Sequence, residues 1–347
     1  MKLNFCTLFN SSYLSRGLAM YESLLKQCDD FHLYVYAFDD KCYNYLVSQK
    51  FKNLSVISLK EFENENLLRV KPTRTAAEYC WTCSASTIHY SIINFNLTNC
   101  TYVDADILFY SNPLILMDEM GDNSVLITSH RYTPEYDQSE ISGKYCVQFV
   151  TFKNDANGMA VLNWWKDACI EWCYARIEDG KFGDQKYLDE FKTRFNGVHE
   201  LKHLGGGLAP WNIQQYKFEI ENNKLIGTEL DSGKKFEPVF FHFHGLKFYE
   251  DNIVCFTGAL YELNKQILEL FYFPYLKIMN EVKNRIFKID NSFDPHGNAG
   301  VSANKPLSVF LMIKFYLSGI KQSPKNIFGQ TIKSRIAHHH FFNNEVH

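Results

Sequence analysis

Residues 2–9 (KLNFCTLF), 32–38 (HLYVYAF) and 54–59 (LSVISL) are short runs of apolar, β-branched and aromatic side chains, each stopped by polar residues. They read as three strands. Asn10-Ser11-Ser12 ends the first and can cap a helix, in which Leu14, Leu18, Tyr21 and Leu25 recur at helical spacing. A second helical segment spans about 41–50, and polar helix-like sequence follows the third strand to about Arg69. Strand and helix alternate, which predicts an α/β fold with a mixed, mostly parallel sheet flanked by helices.

The pattern continues with a loop at 71–79 containing Pro72, a helix at 81–95, and a fourth strand ending in Tyr102-Val103-Asp104-Ala105-Asp106. After Pro113 come a short helix, a strand at 124–130, a polar loop at 131–144 placed to cover a site, and a strand at 145–152. A long helix at 157–175 carries Trp164, Trp165 and Trp172 as core residues. Gly183-Asp184-Gln185 opens another helix, and 238–248 (PVFFHFHGLKF) reads as a strand with His242 and His244 alternating onto one face. A helix at 259–287, broken near Pro274, closes a globular body of residues 1–290. Residues 291–347 read as a linker and a helical C-terminal extension, in which 305–336 hold six basic residues and no acidic one.

Composition narrows the function. The net charge of −3 gives the chain no electrostatic reason to bind nucleic acid. The N-terminus lacks the pattern of a signal peptide, and no apolar run approaches the roughly 18 residues of a spanning helix. The expected location is cytoplasmic, with the basic amphipathic tail touching the inner face of an anionic membrane or packing back on the body. Most of the ten cysteines sit in apolar contexts and read as buried. Cys80-Trp81-Thr82-Cys83 has a redox or zinc spacing, and Cys169 and Cys173 lie one helical turn apart as the only matched pair near it.

The candidate chemistry centres on Asp104 and Asp106. On extended backbone, two carboxylates two residues apart point the same way. Beside so much apolar sequence they call for a partner, and a divalent cation holding a diphosphate fits carboxylate oxygens. An Asp pair after a strand also serves as a turn or a cap. A phosphatase of the HAD type would want Thr at the position of Leu108. In open α/β sheets, ligands bind outside the carboxyl ends of the strands, which places the region after strand one and Asp39 at the same edge. Gly205-Gly206-Gly207 could let backbone amides approach an anion, or simply make a turn. Two histidines with Lys247 suit metal and phosphate.

Taken together these motifs resemble the GT-A (Rossmann-like) glycosyltransferases, family 8-like, over roughly residues 2–250. Asp104-Ala105-Asp106 resembles the D-x-D that holds Mn2+ or Mg2+ against a nucleotide-sugar diphosphate. Asp184-Gln185 resembles the Asp-Gln pair at donor sugar and acceptor, and Trp211-Asn212 resembles the W-N that follows it. The 242–247 segment resembles H-[FY]-x-G-x-x-K-P-W, whose His is the third metal ligand and whose Lys binds diphosphate. Gly245 to Lys247 is one residue shorter here, and Phe248 stands in place of Pro-Trp. The family's N-A-G strand motif is replaced by Lys144-Tyr145-Cys146-Val147-Gln148.

The resemblance implies a metal-dependent, retaining hexosyltransferase-like enzyme. It would move sugar from a nucleotide-diphosphate sugar, UDP-sugar favoured, to a glycan or lipid-linked acceptor in lipopolysaccharide or capsule synthesis. Asp104, Asp106 and either His242 or His244 would hold the cation. Thr7, Phe9, Asn10, Tyr13, Asp39, Arg74, Trp81, Asp104 and Lys247 would bind donor, and Asp184 and Gln185 would serve the reaction. An inverting enzyme would instead use Asp184 as base. The rivals are a sugar nucleotidyltransferase, disfavoured by the lack of a Gly-rich basic loop after strand one, and a non-catalytic sugar- or nucleotide-binding protein.

Overall fold

The computed structural model describes residues 2–250, 252–257, 261–300 and 341–344. The first half follows the expected alternation. Strand β1 (Leu3–Phe9) leads to the helix Leu14–Gln27, β2 (Phe31–Ala37) to the helix Asp40–Gln49, and β3 (Leu54–Ser58) follows. The helix Ala76–Asn94 precedes β4 (Asn99–Val103), and β5 (Ile107–Phe109) comes just after it. The helix Leu114–Met120, β6 (Val125–Ser129), β7 (Tyr145–Lys153), the helix Ala156–Glu171 and β8 (Val198–Glu200) complete this half.

Seven of these strands form one sheet in the order β3-β2-β1-β4-β7-β6-β8. Only β7 runs against its neighbours, being antiparallel to β4 and β6. This is the mixed, mostly parallel, helix-flanked α/β sheet expected from the sequence. Helices cover both faces, so all seven residues of β1 are buried. Alternation along β1 sends Leu3, Phe5 and Phe9 into one core layer and Cys6 and Leu8 into the other.

The second half adds smaller sheets. Strands β9 (Tyr216–Glu221), β10 (Lys224–Glu229) and β11 (Lys235–Phe236) form a meander. β12 (Phe240–His242) pairs antiparallel with β5. β13 (Lys247–Phe248), β14 (Ile253–Cys255) and β15 (Phe341–Asn343) form a third group. Among the described residues no helix is long and apolar enough to cross a membrane.

Several expected boundaries move. The helix expected at 81–95 begins at Ala76, because Thr75 and Glu78 form a reciprocal capping box, with the Thr75 backbone N–H donating to Glu78 Oε2 at 2.8 Å. The 238–248 segment is two strands of different sheets. Gly245 turns the chain between them at φ +83°, a conformation glycine tolerates best. The terminal helix starts at Lys265 and is continuous past Pro274. A wide π turn at Leu268–Tyr272 precedes the α segment Phe273–Phe287 and accommodates a proline that would clash with a regular preceding turn.

Residues near 295 pack on the body. Pro295 O accepts from Ser15 N and Oγ at 3.1 and 2.9 Å, and the His296 ring stacks on Phe248 at 4.0 Å. The basic segment 305–336 lies outside the described residues. Thr75→Ala removes one half of the capping box and is expected to cost about 1 kcal/mol, read as a lower urea midpoint with unchanged slope.

A candidate metal centre at the carboxyl edge of the sheet

The carboxyl ends of β1, β2 and β4 lie along one edge of the sheet, since these strands are parallel. Asp104 and Asp106 follow β4 there. They occupy a turn between β4 and β5 rather than the extended strand expected of them. Backbone bonds fix that turn on both sides. Asp104 N donates to Gln148 O on β7 at 3.2 Å, and Phe243 N donates to Asp106 O at 2.9 Å. The β5–β12 pairing sets His242 opposite Ile107, and His242 N donates to Leu208 O at 2.8 Å.

The side chains then converge. His242 Nε2 lies 3.1 Å from Asp106 Oδ1 and 3.8 Å from Asp104 Oδ2. One ligand atom from each of the three residues lies within 4.8 Å of the others, the spacing of a site that could hold a metal ion. Among the described residues this is the one His/Cys/Asp/Glu group so disposed. On the other side of the ring, His242 Nδ1 meets Gln148 Oε1 at 2.8 Å. Trp211 contacts the imidazole edge-on at 5.3 Å. His244 sits 5.6 Å from His242, ring to ring, and is not in the cluster, so the geometry favours His242 of the two histidines.

The electrostatics follow from crowding three titratable groups. Burial, and then Asp106, push the Asp104 carboxyl up, while His242 opposes them. Burial also acts to raise Asp106, but the adjacent His242 overrides it and holds this carboxyl low. For His242 burial favours the neutral ring, yet Asp106 and its hydrogen bond raise it well above the ordinary imidazole value. His244 is open to solvent. Desolvation by the surrounding protein and the charge on His242 bring it down to about 4, so it is neutral at pH 7.

The other expected residues divide. Tyr13 stands beside the carboxylates, its hydroxyl raised by burial and by Asp106. Lys247 is exposed next to His244 and has no ion-pair partner among the described residues. Asp184 is 6% exposed, with Ser84 and Asp104 near it, and burial raises its carboxyl to about 7. Trp81 packs over Gly183 and Phe182 beside it. Gln185 Nε2 donates to Ser142 O at 2.8 Å, tying down the 131–144 loop.

Other residues are engaged elsewhere. Asp39 uses Oδ2 for Ser11 N and Oγ at 2.9 and 2.7 Å, and Oδ1 for Cys42 N at 2.7 Å, so it caps the helix Asp40–Gln49 and clamps the turn after β1. Thr7 and Phe9 are buried in β1, while Asn10 is partly exposed at its end. The Arg74 guanidinium lies 3.8 Å from the Tyr174 ring and points at the Ile170 and Glu171 carbonyls.

Two motifs take the plainer of their readings. The glycine run does not cradle an anion. It is buried, Gly205 O accepts from Val239 N and Phe240 N, and a Cβ at Gly205 would come within 2.0 Å of Glu237 O. Its glycines permit close backbone packing next to β12. The Cys80/Cys83 pair lies on the helix Ala76–Asn94, and burial raises Cys80 to about 12, which opposes thiolate chemistry.

Two residues were not singled out from sequence. Gln148 is a fully buried amide in a mostly apolar strand, and that contrast is a readable signal. Arg16 is 3% exposed, donates to Leu246 O and His296 O at 3.1 and 2.7 Å, and lies 4.3 Å from the Tyr13 ring. It joins the loop after His244, the 295–296 segment and Tyr13. An arginine inside the apolar helix pattern was its only trace in the sequence.

No family model matches the chain. Two proteins of Bacillus subtilis (strain 168) resemble it over most of its length. The uncharacterized protein YfnF is 28% identical over 310 residues, covering 87% of this chain and 99% of its own. The uncharacterized protein YfnD is 27% identical over 294 residues, covering 84% and 92%. Among solved structures, the galactosyltransferase LgtC in complex with donor and acceptor sugar analogs covers 80% of this chain and 96% of its own, with 10% identity and a TM-score of 0.49. The bifunctional glycosyltransferase WbbM covers 84% and 52%, with 11% identity and a TM-score of 0.47, so this chain spans about half of it. The glycosyltransferase GlyE of Streptococcus pneumoniae covers 82% and 64%, with 11% identity and a TM-score of 0.42.

Asp184 supplies a pH test. Its native carboxyl ionises near 7 and its unfolded one near 4, so the wild type loses stability as pH rises between those values. Asp184→Asn removes that loss. In metal-free protein the variant is expected to gain on the wild type by up to about 1.4 kcal/mol per pH unit across this window, measured by urea unfolding at a series of pH values.

Proposed function

We propose that the protein is a metal-dependent glycosyltransferase of the GT-A, family 8-like kind, moving sugar from a nucleotide-diphosphate sugar to an acceptor hydroxyl. The observation that carries this reading is the meeting of Asp104, Asp106 and His242 at the carboxyl edge of the sheet. Two carboxylates and one imidazole suit Mn2+ or Mg2+, and the cluster is partly open to the cleft, with Asp104 29% and Asp106 14% exposed. A cation held there supplies Lewis-acid neutralisation of the charge that builds on the leaving diphosphate.

The chain's own residues do the rest. Lys247, exposed beside His244 and without an ion-pair partner among the described residues, adds positive charge where the diphosphate would lie. Asn10 and Tyr13 face the donor's base and ribose, while Thr7, Phe9 and Asp39 hold the turn that presents them. Asp184, whose carboxyl burial raises to about 7 so that about half of it is protonated at neutral pH, orients the reacting sugar, and Gln185 secures the loop above it. Trp81 packs at the back of this pocket. Arg74, whose guanidinium lies over the Tyr174 ring, completes the proposed donor contacts.

A UDP-sugar is the donor we favour, with retention of configuration. The basic segment 305–336 favours a lipid-linked acceptor, as in lipopolysaccharide or capsule synthesis at the inner face of a membrane.

The first test is thermal stability with UDP, GDP, CDP and dTDP, each with and without Mn2+. One nucleotide is expected to stabilise the protein only with metal, by about 2.7 kcal/mol at 100 times its Kd. Asp106→Asn should abolish that shift and the turnover. A shift with no metal requirement, or none with any nucleotide, counts against the reading and toward a non-catalytic binding protein. Because Asp106 keeps His242 protonated in the metal-free state, Mn2+ binding is also expected to release protons. Apparent affinity should then rise with pH, and titration heats should vary with buffer ionisation enthalpy.

A further inference from the structure

We propose that Gln148 is the positioning residue that makes His242 a metal ligand. Its amide carbonyl takes the Nδ1–H of the imidazole and leaves Nε2 as the atom turned toward Asp104 and Asp106. The inference rests on the metal-centre reading above and assigns a function to a strand position where the chain departs from the family pattern.

Three features support it. First, Gln148 sits fully buried in β7 among Val147, Phe149 and Val150, where an amide is costly unless it is hydrogen-bonded. Its Oε1 meets His242 Nδ1 at 2.8 Å, and the ring's other nitrogen faces the carboxylates. A metal-binding histidine is oriented in this way by an acceptor on its second nitrogen. Second, the same residue's backbone carbonyl receives Asp104 N at 3.2 Å, so one position on β7 supports two of the three ligands. Third, the room for this amide is reserved. Gly207 has φ +96°, and a Cβ there would come within 3.1 Å of Gln148 Nε2 and 2.7 Å of Thr128 Cγ2. Gln148 Nε2 itself finds no partner, so the amide does not owe its orientation to a bond on that side.

The choice of an amide over a carboxylate has an electrostatic reason. Asp104 and Asp106 already place two like charges in one partly desolvated cleft. A neutral acceptor orients the ring without adding a third. Trp211, edge-on to the same ring, holds its plane from the side.

The test uses the full chain and two readouts independent of turnover. Mn2+ affinity is measured by electron paramagnetic resonance of the free ion, for the wild type, Gln148→Leu and Gln148→Glu. The His242 tautomer is read by nitrogen-15 NMR of the Mg2+-loaded wild type. Gln148→Leu is expected to weaken Mn2+ by about 10–100-fold while its melting temperature in EDTA stays near that of the wild type. Gln148→Glu, which keeps an acceptor, should restore most of the loss. The wild-type ring should carry its proton on Nδ1.

Equal Mn2+ affinity in Gln148→Leu and wild type overturns the proposal, as does a proton on Nε2 in the loaded wild type. If Gln148→Leu does not fold, the tautomer alone decides. A wild type that binds no divalent cation instead removes the metal-centre reading itself, and this inference with it.

Discussion

The site depends on one antiparallel pairing. β5 follows the Asp104–Asp106 turn directly, and β12 lies against it in a register that puts His242 opposite Ile107. A slip of one residue would turn His242 to the other face and bring Phe241 or Phe243 to the carboxylates. Phe243 N to Asp106 O and His242 N to Leu208 O lock that register. The large aromatic residues around β12 give it a further reason. Phe241 and Phe243 are fully buried against Phe271, Tyr272 and Tyr275, and only the observed phase hides them while presenting His242.

Behind this pairing lies a layer of buried polar groups whose bonds go to backbone. Asn212 donates to the carbonyls of His130 and Gly207 and accepts from Ala209 N, and Trp211 Nε1 also donates to His130 O. Arg16 binds two carbonyls from distant segments. Such groups are tolerated in a core because their hydrogen bonds are made, and they lose their value when any partner shifts. The Trp211-Asn212 motif therefore acts in this chain as a support for His242. Asp39 shows the same economy at the front of the sheet, where one carboxylate caps a helix and holds the turn after β1.

Much of the fold was legible from residue patterns. The strands near 3–9, 31–37 and 54–58 were bounded by polar residues, and the helix from Leu14 showed its spacing. The start of the helix at Ala76 was legible too, in Thr75-Ala76-Ala77-Glu78, but Pro72 drew the loop too far along the chain. The missed features had no local signature. The break of 238–248 into strands of two sheets depends on which partners β12 and β13 find, and the π turn before Pro274 sets Phe271 and Tyr272 against Phe241 of β12.

By itself the sequence determined the α/β alternation, the placing of Asp104 and Asp106 at the carboxyl end of a strand, and the set of polar residues available to a site. These follow from local periodicity and from the cost of charge beside apolar sequence. Only the tertiary structure brought His242 rather than His244 to the carboxylates, placed Gln148 behind that ring, and gave Asp39 and Arg74 their hydrogen-bond and ring partners. Those outcomes turn on distances between segments far apart in the chain, which strand register and side-chain packing set and local sequence does not encode.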